Sequence, residues 1–479
     1  MSHPKYVARG TKIIATIGPS CSSYDQIHAL IHEGVDVFRL NFSHGTHQEH
    51  LKIIQHINKL NEIHEFSVGI LADLQGPKIR VGGVENDRVE LKKGELVKIH
   101  GGKSNSTNSD LYIGHDQLIS DIKVGERILI DDGKLVLKAD QICEADNCVK
   151  ALVEFGGELK ANKGVNFPDT ALSLPSLTQK DLEDLDFILW QNVNWIALSF
   201  VRDEKNVIAL RKIIRARRHK AKVIAKVEKP EAVANIKKIV KAADGIMIAR
   251  GDLGVEIPME ELPAVQKSII NLCIKRSKVV IVATQMMESM ILNPNPTRAE
   301  VTDVANAVIE GTDAVMLSGE TAVGDHPQIV VQKMRKIISS VEKTNIPAPN
   351  RPKPEAKSST FLNDVVCFNA AKLADDLNAK AIIGVTVSGY TAFKVSSFRP
   401  KTKMYVFSNI REVLSTLNIV RGVKGFYFQA EGSIEETHEQ LVEFLKEKKL
   451  IEEGDLLVHT GTMPLKDKGR TNMIKVGQL

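Results

Sequence analysis

Two short apolar runs end in residues fit for phosphoryl chemistry. VIAKVE (223–228) places Lys226 and Glu228 two residues apart, and GIMIAR (245–250) runs straight into Gly251 and Asp252. Side chains two apart on an extended chain share a face, so Lys226 and Glu228 point the same way. A cation and two carboxylates at neighbouring strand ends suit an anionic phosphoryl substrate together with a divalent metal. For one such pair alone, a structural salt bridge would be the better explanation, so the weight falls on what else reaches the same place.

Both runs are apolar and rich in β-branched residues, as expected of strands buried on both faces. Six more runs match them: TKIIATIGPS (11–20), DVFRLNFSHG (36–45), FSVGILADLQGPKIR (66–80), WIALSF (195–200), VVIVAT (279–284) and DAVMLS (313–318). Each of the eight is followed by a helix-like segment. This alternation predicts an α/β protein built on a TIM (β/α)8 barrel, with its active site at the C-terminal strand ends. Those ends carry Arg39, Asn41, Ser43, Asp73, Lys226, Glu228, Arg250, Asp252, Thr284, Ser318 and Glu320. Packing alone would not put so many polar groups there.

The alternation breaks between residues 76 and 166, where short β-like runs with Gly and Asp turns predict an inserted β domain and only a weak helix near His115–Ile122. A Pro-, Lys- and Ser-rich stretch (342–359) reads as a linker. Beyond it, a helical pattern over 363–377 and five strand-like runs predict a separate α/β domain. The expected division is 1–75 plus 167–345 for the barrel, 76–166 for the insert and 346–479 for the C-terminal domain.

Length supports about three domains. A net charge of +5, from 64 basic and 59 acidic residues, is too balanced to imply nucleic acid. The basic run at 211–222 has no aromatic platform beside it and reads as a solvated barrel helix. Five scattered cysteines show no zinc-like pairing and fit a reducing compartment. There is no apolar signal core at the N-terminus and no membrane-length apolar run, so a cytoplasmic protein without membrane contact is expected. His44, His47 and His50 lack tetrahedral partners. His44 closes the second strand and is expected near the phosphate, while the other two read as surface helix.

KIIATIGPS, FRLNFSHG, LADLQGPKIR, KGVNFP, VIAKVEKPEAV, DGIMIARGDLGVEIP, ATQMMESM, PTRAEVTDVANAV and DAVMLSGETAVG together closely resemble pyruvate kinase, over nearly the whole chain and in the family's order. The resemblance implies a barrel interrupted by a mobile β-barrel lid, a C-terminal regulatory domain and a homotetramer. It also implies the final step of glycolysis, in which a phosphoryl group passes from phosphoenolpyruvate to ADP. Glu228 and Asp252 would hold Mg²⁺ or Mn²⁺. Lys226 would neutralise the phosphoryl group in flight, Arg39 and Arg80 would clamp the phosphate, and Gly251, Asp252 and Thr284 would take the substrate carboxylate. Thr284, Ser318 and Glu320 are candidates for protonating the enolate. ADP would lie near Thr16, Pro19, Arg80 and Lys163, with Asp132 in the lid's DDG turn above; a plain hairpin turn explains Asp132 equally well. The rival readings are a metal-dependent lyase or aldolase acting on the same substrates, and a non-catalytic nucleotide- or effector-binding homologue.

Many members bind K⁺ through residues matching Asn41, Ser43, Asp73 and Leu74, with a nearby Glu. Here Lys78 stands at the Glu position and Leu74-Gln75 precedes it. This resembles the potassium-independent branch, in which an ammonium replaces the ion. TVSGYTA (386–392) has the strand-to-helix context of a phosphate nest, implicating Thr386, Ser388, Gly389 and Thr391. Val387 and Tyr390 replace basic residues of some fructose-bisphosphate-responsive members, so AMP or a hexose or pentose monophosphate is the expected effector. The basic loop at 461–472 is expected to assist.

Overall fold

A computed structural model describes residues 9–344, 351–429, 433–462 and 471–479. Eight parallel strands close into a barrel: β1 (Lys12–Thr16), β2 (Val37–Asn41), β3 (Gly69–Asp73), β4 (Trp195–Leu198), β5 (Lys222–Val227), β6 (Gly245–Ala249), β7 (Val279–Ala283) and β8 (Ala314–Leu317). Each strand pairs with its sequence neighbours, and β8 closes on β1. All eight predicted strands are present. Strand residues are almost uniformly buried, which is why they read as continuous apolar runs rather than alternating ones.

The helices between them begin where local chemistry dictates. Capping boxes at Ser23/Gln26, Thr46/Glu49, Thr178/Asp181, Asp203/Asn206 and Thr297/Glu300 satisfy the first free N–H groups. The basic run lies partly on the helix Glu204–Ala216, where Arg211 pairs with Asp244 at 2.9 Å.

The insert after β3 is a six-stranded sheet that curls into a half-barrel, flanked by two small two-stranded sheets. Its only α-helix among the described residues is the short turn Leu118–Asp121. The sheet encloses its own core around Ile99, Ile113, Leu137 and Val153.

The C-terminal domain is a five-stranded sheet ordered Val423–Tyr427, Lys403–Ser408, Ala381–Val385, Leu456–Gly461, Met473–Gln478, with the last strand antiparallel. It packs beneath the strand starts of the barrel. Trp195 Nε1 donates to Thr416 O at 3.2 Å, Lys12 Nζ donates to Val423 O at 2.7 Å, and Arg399 pairs with Asp313 at 2.9 Å, fully buried. The barrel interior (Ile14, Leu71, Trp195, Met247) is continuous with the C-terminal core (Ala392, Val395, Leu417). The opposite end, where the strands finish, stays open beneath the insert.

Candidate active site

β5 delivers Lys226 into the open mouth. Its ammonium is buried and donates to Ser199 Oγ at 2.7 Å, while Glu228 Oε1 lies 2.9 Å and Asp73 Oδ1 3.2 Å away. Ser199 in turn donates to Leu74 O at 2.7 Å. Burial opposes the charge on Lys226, but Asp73 and then Glu228 outweigh it and hold the pKa above the ordinary lysine value. Burial also pushes Asp73 up, yet Lys226 and Arg39 win and lower it. For Glu228, burial and the charge of Asp252 prevail over Lys226 and raise the pKa.

Arg39 leaves β2 beside this group. Its Nε donates to Asp73 Oδ2 at 2.7 Å and one terminal nitrogen donates to Thr16 Oγ1 at 3.1 Å. Thr16 itself is buried and gives its proton to Leu317 O at 2.8 Å. Asp73 thus joins the two cations expected to meet the phosphate.

Across the mouth, Glu228 Oε2 accepts from Phe200 N at 2.6 Å, and Asp252 Oδ1 is 3.2 Å from Lys78 Nζ. Gly251 N donates to Thr284 Oγ1 at 2.7 Å, tying the helix Arg250–Glu256 to the end of β7. Thr284 has φ +67° and Gln285 φ +54°, a left-handed pair that is costly for a β-branched residue. Arg250 sustains that turn. It donates to Thr284 O at 3.0 Å and forms two 2.6 Å bonds with Asp303. Arg250 therefore braces the turn rather than joining Lys226, because its partner comes from the helix after β7.

Ser318 Oγ is buried without a protein partner. Glu320 accepts from Ser318 N at 2.6 Å and Met287 N at 3.2 Å, and burial raises its pKa.

Among the residues expected at the nucleotide, Pro19 is exposed at the rim, Arg80 donates to Asn162 O at 3.0 Å, and Lys163 pairs with Asp131 at 2.9 Å. Asp131, Asp132 and Gly133 all have positive φ, forming the lid's DDG turn, and a methyl group at Gly133 would stand 4.0 Å from Val255 on the barrel. The lid's return strand is moored: Asn166 Nδ2 donates to Glu256 Oε1 at 2.7 Å, and Lys229 Nζ reaches the same oxygen at 2.6 Å.

Asn41 and Asp73 are register neighbours, Asn41 Oδ1 accepts from Ser43 N at 3.2 Å, and Leu74 is buried. His44 is exposed near Arg80, Arg39, Lys180 and Lys78; partial burial first, then those cations, lower its pKa. His47 pairs with Asp184 at 2.7 Å. His50, expected on the surface, is buried: its ring stacks on Phe42 at 4.3 Å and bonds His44 O at 3.0 Å. In the C-terminal domain, Gly389 N donates to Thr386 Oγ1 at 2.9 Å, and Thr391 and Thr471 share a 2.6 Å hydroxyl contact. Ser388 Oγ accepts from Tyr390 N at 3.4 Å. Residues 463–470 of the basic loop lie outside the described residues.

Ser199 is the site residue that sequence reasoning missed. The signal was its position, since WIALSF ends one of the eight strands whose ends were already suspect.

A mouth of fixed cations and carboxylates, roofed by an inserted β domain, defines a barrel enzyme that moves a phosphoryl group. Comparison with known proteins sharpens that class. The family description "Pyruvate kinase, barrel domain" matches residues 8–331, and "Pyruvate kinase, alpha/beta domain" matches residues 364–477. The chain is 41% identical over 470 residues to pyruvate kinase 2 of Synechocystis, covering 98% of this chain and 79% of that protein. It is 40% identical over 468 residues to pyruvate kinase of Staphylococcus aureus, covering 98% and 80%. A crystal structure of a pyruvate kinase from Cryptosporidium parvum superimposes with a TM-score of 0.90 at 36% identity, covering 98% of this chain and 96% of that one. The chain belongs to the pyruvate kinase family. It is a phosphotransferase, passing a phosphoryl group from phosphoenolpyruvate to ADP to give pyruvate and ATP. Enzymes of this family bind those two substrates and generally use Mg²⁺. No described helix is long and apolar enough to cross a membrane.

Proposed function

We propose that Lys226 is the residue along which the phosphoryl group travels. The observation that carries this is its ammonium, buried at the mouth and kept charged by Asp73 and Glu228. Fixed there, the charge meets the equatorial oxygens as they become most negative, without reorganisation at the moment of transfer. Arg39, oriented by Asp73 and Thr16, grips the phosphate from the other side.

Glu228 and Asp252 fit a divalent cation: both are carboxylates, and each lies within the other's field. Mg²⁺ or Mn²⁺ held by these two carboxylates would take its remaining oxygens from substrate and water. Bound there, the ion would add positive charge beside the transferring group. Thr284 and the first-turn N–H groups of Arg250–Glu256, including Gly251 and Asp252, orient the substrate carboxylate. Ser318 Oγ, buried and unpaired, holds the water that protonates the enolate.

Arg80 and Lys163, both at the lid junction, bind the ADP phosphates, Pro19 lines the nucleotide's rim, and Thr16 contributes by positioning Arg39. Lys78, already on Asp252, supplies the charge that K⁺ brings to the Asn41, Ser43, Asp73 and Leu74 set in other members. The loop of Thr386, Ser388, Gly389 and Thr391 takes an effector monophosphate such as AMP, and the enzyme works as a cytoplasmic homotetramer.

ADP-dependent pyruvate release with Mg²⁺, measured without potassium and again with added KCl, tests this reading. Equal rates support it. Activity only with KCl removes the role of Lys78, and no activity in either leaves the lyase, aldolase or non-catalytic readings in front.

A further inference from the structure

One hairpin of the insert ends in two opposed cysteines. Strands Leu135–Cys143 and Cys148–Phe155 run antiparallel, and Cys143 stands directly opposite Cys148 at the end of the ladder. The turn between them is closed by Asn147 N, which donates to Glu144 O at 3.2 Å. Opposed residues of an antiparallel pair share a face and have Cα atoms about 4.5 or 5.5 Å apart. Both values fall within the roughly 4.4–6.8 Å span of a disulfide, so a bond between the sulfurs asks for side-chain rotation rather than a shift of backbone. Cys143 is partly exposed and Cys148 is buried. Burial first, and then the neighbouring Cys143 thiol, raise the pKa of Cys148, while Lys98 works the other way. Cys143 therefore meets a dissolved oxidant first, with Cys148 behind it. The other three cysteines are buried on separate elements. Burial pushes Cys21 up to about 11 and Cys367 up to about 12, and raises Cys273 as well, which keeps all three as unreactive thiols.

We propose that Cys143 and Cys148 form a reversible redox site in the lid, converted from dithiol to disulfide by a peroxide. The Cys143 thiolate attacks one oxygen of hydrogen peroxide; the O–O bond breaks, hydroxide leaves and a sulfenic acid remains. The Cys148 sulfur then attacks the Cys143 sulfur. The S–S bond forms as the S–O bond breaks, and the departing hydroxide takes the Cys148 proton to become water. In sum, two thiols are oxidised and one peroxide is reduced to two waters. A reducing compartment keeps the pair as the dithiol, and a small dithiol restores it from the disulfide by exchange. The first of the two strands begins just after the DDG turn, so the bond clips the far end of that strand to its neighbour. None of the site residues named above lies between Leu135 and Phe155, so the clip stiffens the hairpin without entering the mouth.

Trypsin cleaves after Lys138 and Lys150, so both cysteines fall in one peptide, residues 139–150. The full-length protein is reduced, treated with hydrogen peroxide, alkylated with iodoacetamide and digested. The expected peptide lacks two hydrogens and carries no alkyl group, while the other three cysteines are alkylated. Dithiothreitol added before alkylation should restore both alkyl groups. Cys143→Ser should leave Cys148 open to alkylation after peroxide, and Cys148→Ser should leave a sulfenic acid at Cys143 that dimedone traps. Amide exchange over 141–150 should slow in the oxidised protein, whose basal kcat should match that of the reduced form. A doubly alkylated peptide, at a peroxide dose that oxidises free dithiothreitol in the same buffer, would overturn the site. So would sulfinic or sulfonic acid at Cys143 with Cys148 still alkylated, or a disulfide that joins two chains. A loss of kcat on oxidation that Cys143→Ser escapes would show that the hairpin must move to accept the bond, against the register.

Discussion

The Gly251 N–H donates to the Thr284 hydroxyl at 2.7 Å, so the first turn after β6 is tied to the strained end of β7. Thr284 keeps its φ of +67° because Arg250 holds the turn, and Arg250 is itself held by Asp303. Asp303→Ala would leave a largely buried guanidinium without its carboxylate partner, holding the turn only through its bonds to carbonyls such as Thr284 O. The expected cost is about 2 kcal/mol, below that of a fully buried pair because Asp303 is partly exposed. KM for phosphoenolpyruvate should rise several-fold, about tenfold at most, as Thr284 loses its orientation. A thermal melt and steady-state kinetics together check this, and unchanged KM would sever Asp303 from the site.

Replacing Lys226 tests the central assignment. Lys226→Met removes a charge whose value is greatest in the transition state, so kcat should fall by about 10²–10³ or more. KM should move only modestly. A large KM rise with intact kcat would make Lys226 a ground-state binder. The substitution also strands Asp73 and Glu228 without their shared cation, so the melting temperature must be measured beside the kinetics.

The barrel was legible because its strands are buried on both faces and read as continuous apolar runs, and because polar residues collect at one end of each. The insert announced itself by losing the helical period between 76 and 166. What sequence did not yield was pairing across long separations. Lys78 meets Asp252 across 174 positions and Arg250 meets Asp303 across 53, and neither partner can be inferred from local pattern. Thr16 stood in a strand-end motif but is buried on Leu317 O, and the burial of His50 depends on the Phe42 ring. Ser199 shows the middle case, visible as a strand end but unassignable until Lys226 was seen donating to it.

Gly76 marks where the chain leaves β3 for the lid, with φ +68°. A methyl group there would stand 2.9 Å from both Phe200 Cδ2 and Ser199 Cβ. Both neighbours matter, since Ser199 accepts from Lys226 and the Phe200 N–H binds Glu228. Gly76→Ala should therefore cost about 1–3 kcal/mol through backbone strain and overpacking. It should also lower kcat about tenfold or more by shifting those two contacts. A variant that is destabilised but fully active would show that the Ser199–Phe200 segment relaxes away from the site.

His459, in the C-terminal sheet, carries the clearest pH signature outside the active site. Burial first, then His438 and Lys475, lower its pKa to about 4. An unfolded chain restores the ordinary value of about 6.5, so between those limits the unfolded state binds the additional proton. Stability is therefore unaffected by this group above about pH 6.5 and falls as the pH drops toward 4. Between pH 7 and 5 the loss should be about 2 kcal/mol. His459→Gln, which stays neutral throughout, should remove that part of the acid sensitivity. Denaturant unfolding of both proteins at pH 7 and 5, followed at the C-terminal domain, measures the difference. Equal losses in the two proteins would mean that His459 gains a proton in the folded state as readily as in the unfolded one.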